Sequence, residues 1–307
     1  MKKIILLLTA FLLISCSPIP QAEIAGHVDL NNLQPLPTPS GYEAVPLRVA
    51  VAAVISPKGT VESYSPFLSY LEEKLNRPIE LIQRRTYLEI NDLIEHGEVD
   101  LAFVCTSAYI QGHDTFGMEL LVAPQVDGKT TYNSYLIVPT SSSAQSMKDL
   151  RGEVFAFTDP ISLSGRVYPT FLVQQVGFTP EEFFGRTFYT YSHDEAIRAV
   201  ASRVADGAAV DSLVYEYAIA RDPSLAEKVK IIHRSPDFGI PPVVVSPFTR
   251  PQVKAELQSL LLEMADDPTS SEALASIGVE RFVLIDDSAY DSVRTLMGSV
   301  LSPVVQP

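Results

Sequence analysis

The sequence predicts an α/β protein with two doubly wound α/β lobes and a ligand cleft between them. Short apolar runs rich in Val alternate with segments whose apolar residues follow a helical period, which is typical of parallel strands joined by helices. This alternation occurs twice, with a restart near residue 133. The chain has 307 residues, of which 46% are hydrophobic and 20% charged, and this suffices for two packed cores.

The first residues have the layout of a targeting segment. Lys2 and Lys3 precede an apolar stretch that is shorter than the roughly 20 residues of a membrane-spanning helix. We therefore predict a secretory signal peptide over residues 1–15. The stretch Leu13-Ile14-Ser15-Cys16 resembles the bacterial lipobox, and this resemblance implies lipidation at Cys16 after cleavage.

Residues 16–45 then form a Pro-rich tether, and the predicted globular body follows it. In the first half the strands are Val-rich or end at a polar turn, and the helices end at Asn, Pro or Gly. The predicted elements are the strand Leu47–Ile55, the helix Ser65–Leu75, the strand Ile79–Ile82, the helix Tyr87–His96 and the strand Asp100–Cys105.

The second half repeats the alternation and then returns to the first. The predicted elements are the strands Asn133–Val138 and Val154–Thr158, a helix over about Gly165–Val176, the strand Phe188–Tyr191, the helix His193–Val204, the strands Ala208–Val210, Val229–His233 and Val243–Val245, and the helix Pro251–Met264. We assign residues 46–135 plus 240–307 to lobe 1 and residues 136–239 to lobe 2. The crossover segments near Asn133–Val138 and Ser235–Pro242 are the predicted hinge.

Composition excludes several classes of protein. Asp and Glu number 37 against 23 Lys and Arg, which gives a formal charge of −14 and argues against a nucleic-acid binder. The two cysteines, Cys16 and Cys105, are too few for a disulfide scaffold or a Cys-cluster zinc site. The histidines show no metal-binding spacing and no nucleophile motif is present, so we predict neither a metal nor a cofactor.

The turn from Thr158 to Gly165 carries the most information about function. It reads Thr-Asp-Pro-Ile-Ser-Leu-Ser-Gly and connects a strand to the start of a helix. Free N–H groups at a helix N-terminus favour an anion, and the Ser162 and Ser164 hydroxyls add donors. Plain helix capping by serine explains the same pattern, so the residues alone leave both interpretations open.

This turn resembles the "DP-x-STSG" motif of the phosphate/phosphite/phosphonate-binding proteins of ABC importers. Stretches in the same order agree with that family, and the resemblance covers about Leu47 to Gly298; they are Asp100–Phe103, Asp149–Gly152, Ser192–Asp194 with Ala199-Val200, and Ser235–Pro242. The resemblance implies a type II periplasmic binding protein fold, a location in the periplasm or on the outer face of the cell envelope, and a monomer.

The resemblance also implies which residues bind the ligand. They are Ser162, Leu163 through its N–H, Ser164 and Gly165 around the oxyanion, His193 from the second half, Tyr87 from the first half, Thr106 and Ser107 on the opposite wall, and Asp211 at the cleft floor. Two positions depart from the family pattern. Leu163 stands where the family has Thr, and Arg166 follows Gly165, where it either binds the anion or faces solvent.

A carboxylate at Asp211, beside a bound anion, can serve to select the ligand. A carboxylate only accepts hydrogen bonds, so it pairs with a protonated P–OH or a ligand amine and repels a fully deprotonated anion such as sulfate.

Our leading hypothesis is a lipid-anchored protein that captures a phosphorus oxyanion by closure of its lobes and passes it to an ABC permease. Three alternatives remain open. The first is a protein that presents its ligand state to a membrane sensor such as a receptor kinase. The second is an enzyme with His193 and Asp211 as a base pair. The third is a binder of a sulfonate or heteroaromatic amine, held in an aromatic cage of Phe103, Tyr87, Tyr109 and Tyr132.

Overall fold

The computed structural model describes residues 45–301. The predicted signal peptide, Cys16 and all but the last residue of the tether lie outside the described residues. None of the helices in the described range has the length and apolar character that crossing a membrane requires.

The strands and helices of this range confirm the predicted α/β alternation. The strands are β1 (Leu47–Val51), β2 (Ile79–Gln83), β3 (Leu101–Phe103), β4 (Glu119–Gln125), β5 (Thr131–Tyr132), β6 (Ser134–Pro139), β7 (Val154–Phe157), β8 (Arg186–Tyr189), β9 (Gly207–Asp211), β10 (Val229–Arg234), β11 (Phe238–Gly239), β12 (Val243–Val245) and β13 (Arg281–Val283). The helices are α1 (Pro57–Leu75), α2 (Tyr87–Glu95), α3 (Thr106–Phe116), α4 (Tyr168–Gln174), α5 (Pro180–Phe183), α6 (His193–Ala201), α7 (Ser212–Arg221), α8 (Ser224–Lys228), α9 (Pro251–Glu263), α10 (Ser271–Ser276) and α11 (Asp291–Leu301).

The first sheet defines lobe 1 and has the strand order β13-β4-β12-β3-β1-β2. Strand β1 is parallel to both β2 and β3, and its side chains are almost wholly buried, as the continuous apolar run predicts. Strand β12 returns from the second half of the chain and pairs antiparallel with both β3 and β4. The C-terminal segment therefore completes the sheet of lobe 1.

The second sheet defines lobe 2 and has the order β10-β6-β9-β7-β8. Its central strand β9 is parallel to β7 and antiparallel to β6. In both sheets, the parallel strands leave their carboxyl ends at the edge where ligands bind in folds of this kind.

A two-stranded antiparallel ribbon of β5 and β11 joins the lobes, with Tyr132 opposite Phe238 and Thr131 opposite Gly239. The predicted strand at Asn133–Val138 is present as β6, but it does not form part of the hinge ribbon. It pairs with β9 on one side and β10 on the other, which fixes it inside lobe 2. The first crossover thus lies earlier in the chain than the sequence predicts, at Thr131–Tyr132.

One apolar cluster is shared by both lobes and the ribbon. It includes Tyr87 and Cys105 of lobe 1, Tyr132 of the ribbon, and Leu163 and Tyr168 of lobe 2, all of them buried. Because these side chains pack together across the cleft, the structure represents a closed arrangement of the lobes.

Candidate ligand site

The predicted site residues come together where strands of both lobes end. Asp211 is the last residue of β9, Thr158 directly follows β7, and Thr106 begins α3 shortly after β3. The nine predicted residues are all buried: Tyr87, Thr106, Ser107, Ser162, Leu163, Ser164, Gly165, His193 and Asp211. Their burial requires that each polar atom find a partner in the protein or in a ligand.

Ser162 caps the helical segment that begins at Leu163. Its Oγ accepts the Gly165 N–H at 3.1 Å, and its carbonyl oxygen accepts the N–H groups of Arg166 and Val167. The segment Leu163–Val167 is a π-helical turn leading directly into α4. The N–H groups of Leu163 and Ser164 lie in its first turn, where the helix itself supplies no acceptor. The Leu163 N–H, which the family resemblance places at the oxyanion, donates to the Cys105 thiol instead, so this turn combines capping by Ser162 with the Ser164 N–H as a donor for a ligand.

Gly165 is required by packing rather than by backbone strain. A Cβ atom at this position would lie 1.8 Å from Thr158 Oγ1 and 2.7 Å from Thr158 Cβ. The sequence suggested that Gly165 lets a ligand approach the backbone. In the structure the side chain of Thr158 fills that space.

Four buried hydroxyls around this turn make no hydrogen bond within the described residues. They belong to Tyr87, Tyr132, Thr158 and Ser164, and we call them the hydroxyl cluster. The Tyr132 hydroxyl lies beside those of Thr106 and Ser164. Burial raises the pKa of Tyr87 and of Tyr132 well above the ordinary value, and the nearby Asp211 carboxylate adds to both shifts. In residues 45–301, the other buried side-chain atoms of this kind are Asn91 Oδ1 and Ser192 Oγ.

The His193 ring is held by the backbone of Asp211 and keeps its proton on the other ring nitrogen. Its Nδ1 accepts the Asp211 backbone N–H at 3.0 Å, so in the neutral ring the proton resides on Nε2. Burial lowers the pKa of His193 to about 3, which keeps the ring neutral at ordinary pH. In the described structure the ring contacts the Asp211 backbone N–H rather than its carboxylate.

Asp211 caps α7, and burial raises the pKa of its carboxyl group. Its Oδ1 accepts the Leu213 N–H at 2.8 Å and the Val214 N–H at 3.4 Å. Burial is the main cause that raises the pKa of Asp211 to about 7, and the two backbone hydrogen bonds oppose it. At neutral pH the group therefore exists in both protonation states and can give or accept a proton.

Thr106 and Ser107 use their hydroxyl protons inside the protein. Thr106 Oγ1 donates to the Gly239 carbonyl at 2.8 Å, and Ser107 Oγ donates to the carbonyl of Ile161 across the cleft. In this closed arrangement the two hydroxyls can act toward a ligand only as acceptors. Cys105 next to them is buried, and burial raises the pKa of its thiol.

Polar contacts nearer the outside join the lobes directly, and we call the four residues Ser56, Asp194, Ser63 and Tyr217 the lobe clasp. Asp194 accepts the Ser56 N–H at 2.8 Å and the Ser56 hydroxyl at 2.7 Å, and the hydroxyls of Ser63 and Tyr217 lie 2.7 Å apart. These contacts differ from the hydroxyl cluster because each polar group has its partner in the opposite lobe.

Further contacts also join the lobes. Asp159 Oδ2 accepts the Tyr87 N–H at 3.1 Å, and the Arg85 guanidinium lies 4.0 Å from the centre of the Tyr191 ring. Sequence inspection singled out neither Asp159 nor Tyr191 as a contact between lobes.

Arg166 and two of the four residues of the predicted aromatic cage make their contacts away from the hydroxyl cluster. The Arg166 guanidinium lies over the Phe157 ring at 4.3 Å and pairs with Glu181, so its charge is engaged away from the hydroxyl cluster. Of the four cage residues, Tyr109 donates its hydroxyl to Asp287, and Phe103 packs with Tyr64, Phe67 and Phe282 in another cluster. Only Tyr87 and Tyr132 remain at the site.

Two members of the hydroxyl cluster were not predicted to bind the oxyanion. Thr158 stood in the motif only as a strand end, and Tyr132 only in the aromatic cage. For Tyr132, the sequence feature that could have indicated a ligand contact is its position directly before the predicted crossover segment Asn133–Val138. Within residues 45–301, no group of three or more His, Cys, Asp and Glu residues is placed to hold a metal ion.

Comparison with known proteins assigns the family. Residues 49–290 match the family described as "ABC transporter, phosphonate, periplasmic substrate-binding protein". The chain is 25% identical over 280 residues to the "Phosphate-import protein PhnD" of Mycolicibacterium smegmatis, and the alignment covers 84% of this chain and 87% of that protein.

Solved structures agree on the fold. The binding protein component of an ABC phosphonate transporter from Pseudomonas aeruginosa has a TM-score of 0.78 at 22% identity, covering 83% of this chain and 86% of the other. PhnD1 from Prochlorococcus marinus in complex with methylphosphonate has a TM-score of 0.74 at 18% identity, covering 83% and 97%. These similarities confirm the predicted two-lobed type II periplasmic binding protein fold.

The family match spans most of the chain and agrees with the resemblance seen in the binding turn. This chain therefore belongs to the family of periplasmic substrate-binding proteins of ABC phosphonate transporters.

Proposed function

We propose that this chain is a lipid-anchored binding protein that captures a phosphorus oxyanion, namely phosphonate, phosphite or phosphate, for an ABC importer by closure of its two lobes. The observation that carries the proposal is the hydroxyl cluster: Tyr87, Tyr132, Thr158 and Ser164 are buried without a hydrogen-bond partner in the described residues. They come from lobe 1, the ribbon and lobe 2, so a ligand between them joins all three.

The energetics favour an anion with several acceptor oxygens. A buried donor without a partner costs about 1–3 kcal/mol, and an ionised acceptor restores more than a neutral one. The donors available are the four hydroxyls, the His193 Nε2–H and the Ser164 N–H, whereas the Leu163 N–H donates to the Cys105 thiol. All of these donors are uncharged, so the site binds its anion through dipoles rather than through a cation.

The carboxyl group of Asp211 supports selection for ligands that carry a proton on an oxygen of phosphorus. At a pH near its raised pKa of about 7, the carboxylate accepts a hydrogen bond from a P–OH group. Sulfate carries no such proton at that pH and is repelled by the ionised form of Asp211, which predominates above this pKa. The relatives named phosphate-import protein and PhnD1 with methylphosphonate support phosphorus oxyanions as the ligand class.

The lipid anchor and the importer complete the proposal. The lipobox-like Leu13-Ile14-Ser15-Cys16 supports acylation of Cys16, and the Pro-rich residues after it support a spacer between membrane and lobes. A Cys16→Ala variant should lose incorporation of labelled palmitate, whereas Cys105→Ala should retain it. Equal labelling of the two variants would contradict the anchor.

The test of the site is titration calorimetry of the full-length chain with phosphate, phosphite, methylphosphonate and sulfate. We expect binding of at least one phosphorus oxyanion and none of sulfate. Tyr132→Phe should weaken that binding by about tenfold or more, because it removes a donor worth about 1.5–3 kcal/mol to a charged acceptor. It should change the stability of the ligand-free protein little, since the hydroxyl makes no hydrogen bond among the described residues.

Tyr109→Phe is the matched control. Its hydroxyl donates to Asp287 at 2.6 Å, so its removal should lower the free energy of unfolding and leave affinity unchanged. If the two variants lose affinity equally, the hydroxyl cluster is not the ligand site.

A further inference from the structure

Asp159 is a buried carboxylate in the turn that follows β7. Its side chain belongs to a residue that is 1% exposed. Its Oδ1 accepts the Ile161 N–H at 2.9 Å, and its Oδ2 accepts the Tyr87 N–H of the other lobe at 3.1 Å. Both partners are neutral, and within residues 45–301 no Lys, Arg or His forms an ion pair with it. A buried carboxylate without a cation is costly, so these two N–H groups are what makes it tolerable there.

The Tyr87 N–H lies at the N-terminus of α2 and needs an acceptor from outside the helix. Thr86 caps this helix: its hydroxyl oxygen accepts the Glu89 N–H, and Glu89 accepts the Thr86 N–H in return. The N–H of Tyr87, the first helical residue, has no acceptor within the helix. Asp159 supplies one from lobe 2, and the helix dipole favours a negative charge at this end. The capping of α2 is therefore complete only when the lobes are closed.

The contacts of Asp159 reach the ligand site on both of its sides. Tyr87, which is held through its backbone N–H, carries one hydroxyl of the hydroxyl cluster. On the other side, Asp159 holds the N–H of Ile161, whose carbonyl oxygen accepts the Ser107 hydroxyl of lobe 1. The start of the turn is thus joined to lobe 1 by two contacts, and its later part carries the unpaired hydroxyl of Ser164.

The lobe clasp lacks this connection to the ligand site. Asp194 also accepts two hydrogen bonds across the cleft, but both come from Ser56, which carries no hydroxyl of the cluster. The clasp contact therefore holds the lobes together without holding a ligand-binding residue. The Asp159 contact does both, because it fixes the residue at which α2 begins and with it the Tyr87 ring.

We propose that Asp159 is a positioning residue of the ligand site: its carboxylate binds the N-terminus of α2 when the lobes close and thereby places the Tyr87 hydroxyl against the bound oxyanion. The inference rests on the proposed function and adds a residue to it. Asp159 acts through Tyr87, since both of its carboxylate oxygens hold backbone N–H groups.

The first experiment is a double-mutant cycle of Asp159→Asn and Tyr87→Phe, measured by calorimetry on the full-length chain. The ligand is whichever of phosphate, phosphite and methylphosphonate binds the wild type most tightly. Asparagine offers a single oxygen in place of two, so Asp159→Asn should weaken binding by about tenfold, the effect of one lost hydrogen bond to a charged group. In Tyr87→Phe, where the positioned hydroxyl is absent, the same change should weaken binding by about threefold or less. Equal factors in the two backgrounds would overturn the inference.

Asp194→Ala is the matched control, because it removes a carboxylate that joins the lobes without holding Tyr87. Its effect and that of Tyr87→Phe should multiply, as expected for independent sites. Asp159→Glu is a second variant, which keeps the charge but moves the carboxylate by one methylene. It should also weaken binding, and less so in Tyr87→Phe. Wild-type affinity of a folded Asp159→Glu chain would contradict a positioning role.

Failure of this inference differs from failure of the proposed function. If the wild type binds a phosphorus oxyanion and Asp159→Asn acts equally in both backgrounds, the oxyanion site stands and Asp159 is a contact of lobe closure alone. If the wild type binds no phosphorus oxyanion, the proposed function is wrong, and the role of Asp159 toward such a ligand is wrong with it.

Discussion

The lobe clasp and the hydroxyl cluster both lie between the same two lobes, but they differ in whether their polar groups have hydrogen-bond partners. In the clasp, Asp194 and Ser56 satisfy each other across the cleft, as do Ser63 and Tyr217. In the cluster, the hydroxyls of Tyr87, Tyr132, Thr158 and Ser164 are buried and unpaired in the described structure. Under the proposed function this difference separates two tasks: the clasp would stabilise the closed arrangement with any ligand, and the cluster would stabilise it only with a ligand that accepts the hydroxyl hydrogen bonds.

This comparison predicts that changes at the ligand site, which includes Asp211 and Gly165 beside the cluster, alter pH response or ligand binding, whereas changes at the clasp alter the affinity for all ligands by the same factor. The substitutions below test it, beginning with the largest expected effect.

Asp211→Asn should change the pH dependence of stability by up to about 4 kcal/mol, since one pKa unit corresponds to about 1.4 kcal/mol. The folded pKa of about 7 exceeds the unfolded value near 3.8, so the folded state holds the extra proton between these values. In the wild type this contribution decreases as pH rises from about 4 to 7. The variant, which keeps the helix cap, should lack the decrease.

His193 has the opposite sign. Its folded pKa of about 3 lies below the ordinary 6.5, so its contribution to stability increases with pH between those values. The two slopes oppose each other in the wild type. Denaturant unfolding of Asp211→Asn from pH 4 to 6.5 should therefore show stability rising with pH more steeply than in the wild type. Parallel curves for the two proteins would show that Asp211 titrates normally.

Gly165→Ala should lower the free energy of unfolding by about 3 kcal/mol, at the upper end of overpacking effects. The new Cβ would lie 1.8 Å from Thr158 Oγ1, so either the π-helical turn or Thr158 must move. Ligand binding should weaken as well, because Thr158 belongs to the cluster.

Gly298→Ala provides the control for that change. Among the described residues, an added Cβ there lies within 4 Å of no atom outside its own helix backbone and chain neighbours, and alanine favours helix α11 over glycine. Thermal unfolding should thus shift down for the first variant and stay equal or rise for the second. A downward shift of equal size in both would contradict the packing argument.

Asp194→Ala at the clasp should weaken every phosphorus ligand by about thirtyfold, which corresponds to about 2 kcal/mol for hydrogen bonds to a charged acceptor. The ratio between ligands should stay constant, since the clasp does not touch the cluster. Small-angle scattering should show a larger radius of gyration for the ligand-free variant.

Glu195→Ala is the matched control for Asp194. Glu195 lies next to it on α6 and pairs with Arg198 within lobe 2, without reaching lobe 1. Its removal should leave both affinity and radius unchanged. A change in the ligand ratio with Asp194→Ala would show that clasp and cluster are one unit.

Arg85→Ala should have the smallest effect, a two- to fourfold loss of affinity, because an exposed cation–π contact is worth about 0.5–1 kcal/mol. Arg84→Ala removes a neighbouring cation that donates only to the Gln83 carbonyl of its own lobe. Calorimetry should therefore distinguish the two. Equal losses would assign the effect to net charge instead of the contact with Tyr191.

The sequence predicted features that depend on local pattern. The apolar run at Leu47 predicts β1 because a strand buried on both faces needs no alternation, and the Ser-Leu-Ser-Gly turn predicts a helix start because its N–H groups need acceptors. Both are present. The family resemblance was specific for the same reason, since its motifs are local stretches in fixed order.

Other features depend on segments that meet only in the fold. Whether Tyr132 has a hydrogen-bond partner depends on residues near 106 and 164, and the sequence does not show these distances. The sequence suggests that Gly165 lets a ligand approach the backbone, but in the structure the side chain of Thr158 occupies that space and excludes a Cβ atom. The sequence leaves the role of Arg166 open, because helix periodicity does not show that Phe157 and Glu181 lie on its side.

The return of β12 into the first sheet has a consequence for the order in which the chain acquires structure. The strands of lobe 2 all come from one continuous stretch, residues 134–234, and can pair as soon as that stretch is available. Lobe 1 cannot, because β3 and β4 have no neighbour between them until Val243–Val245 arrives. During synthesis and export, β3 and β4 of the N-terminal lobe therefore keep unpaired edges until lobe 2 is complete and β12 follows it. Unpaired strand edges favour aggregation, so the chain is most prone to aggregate in this interval.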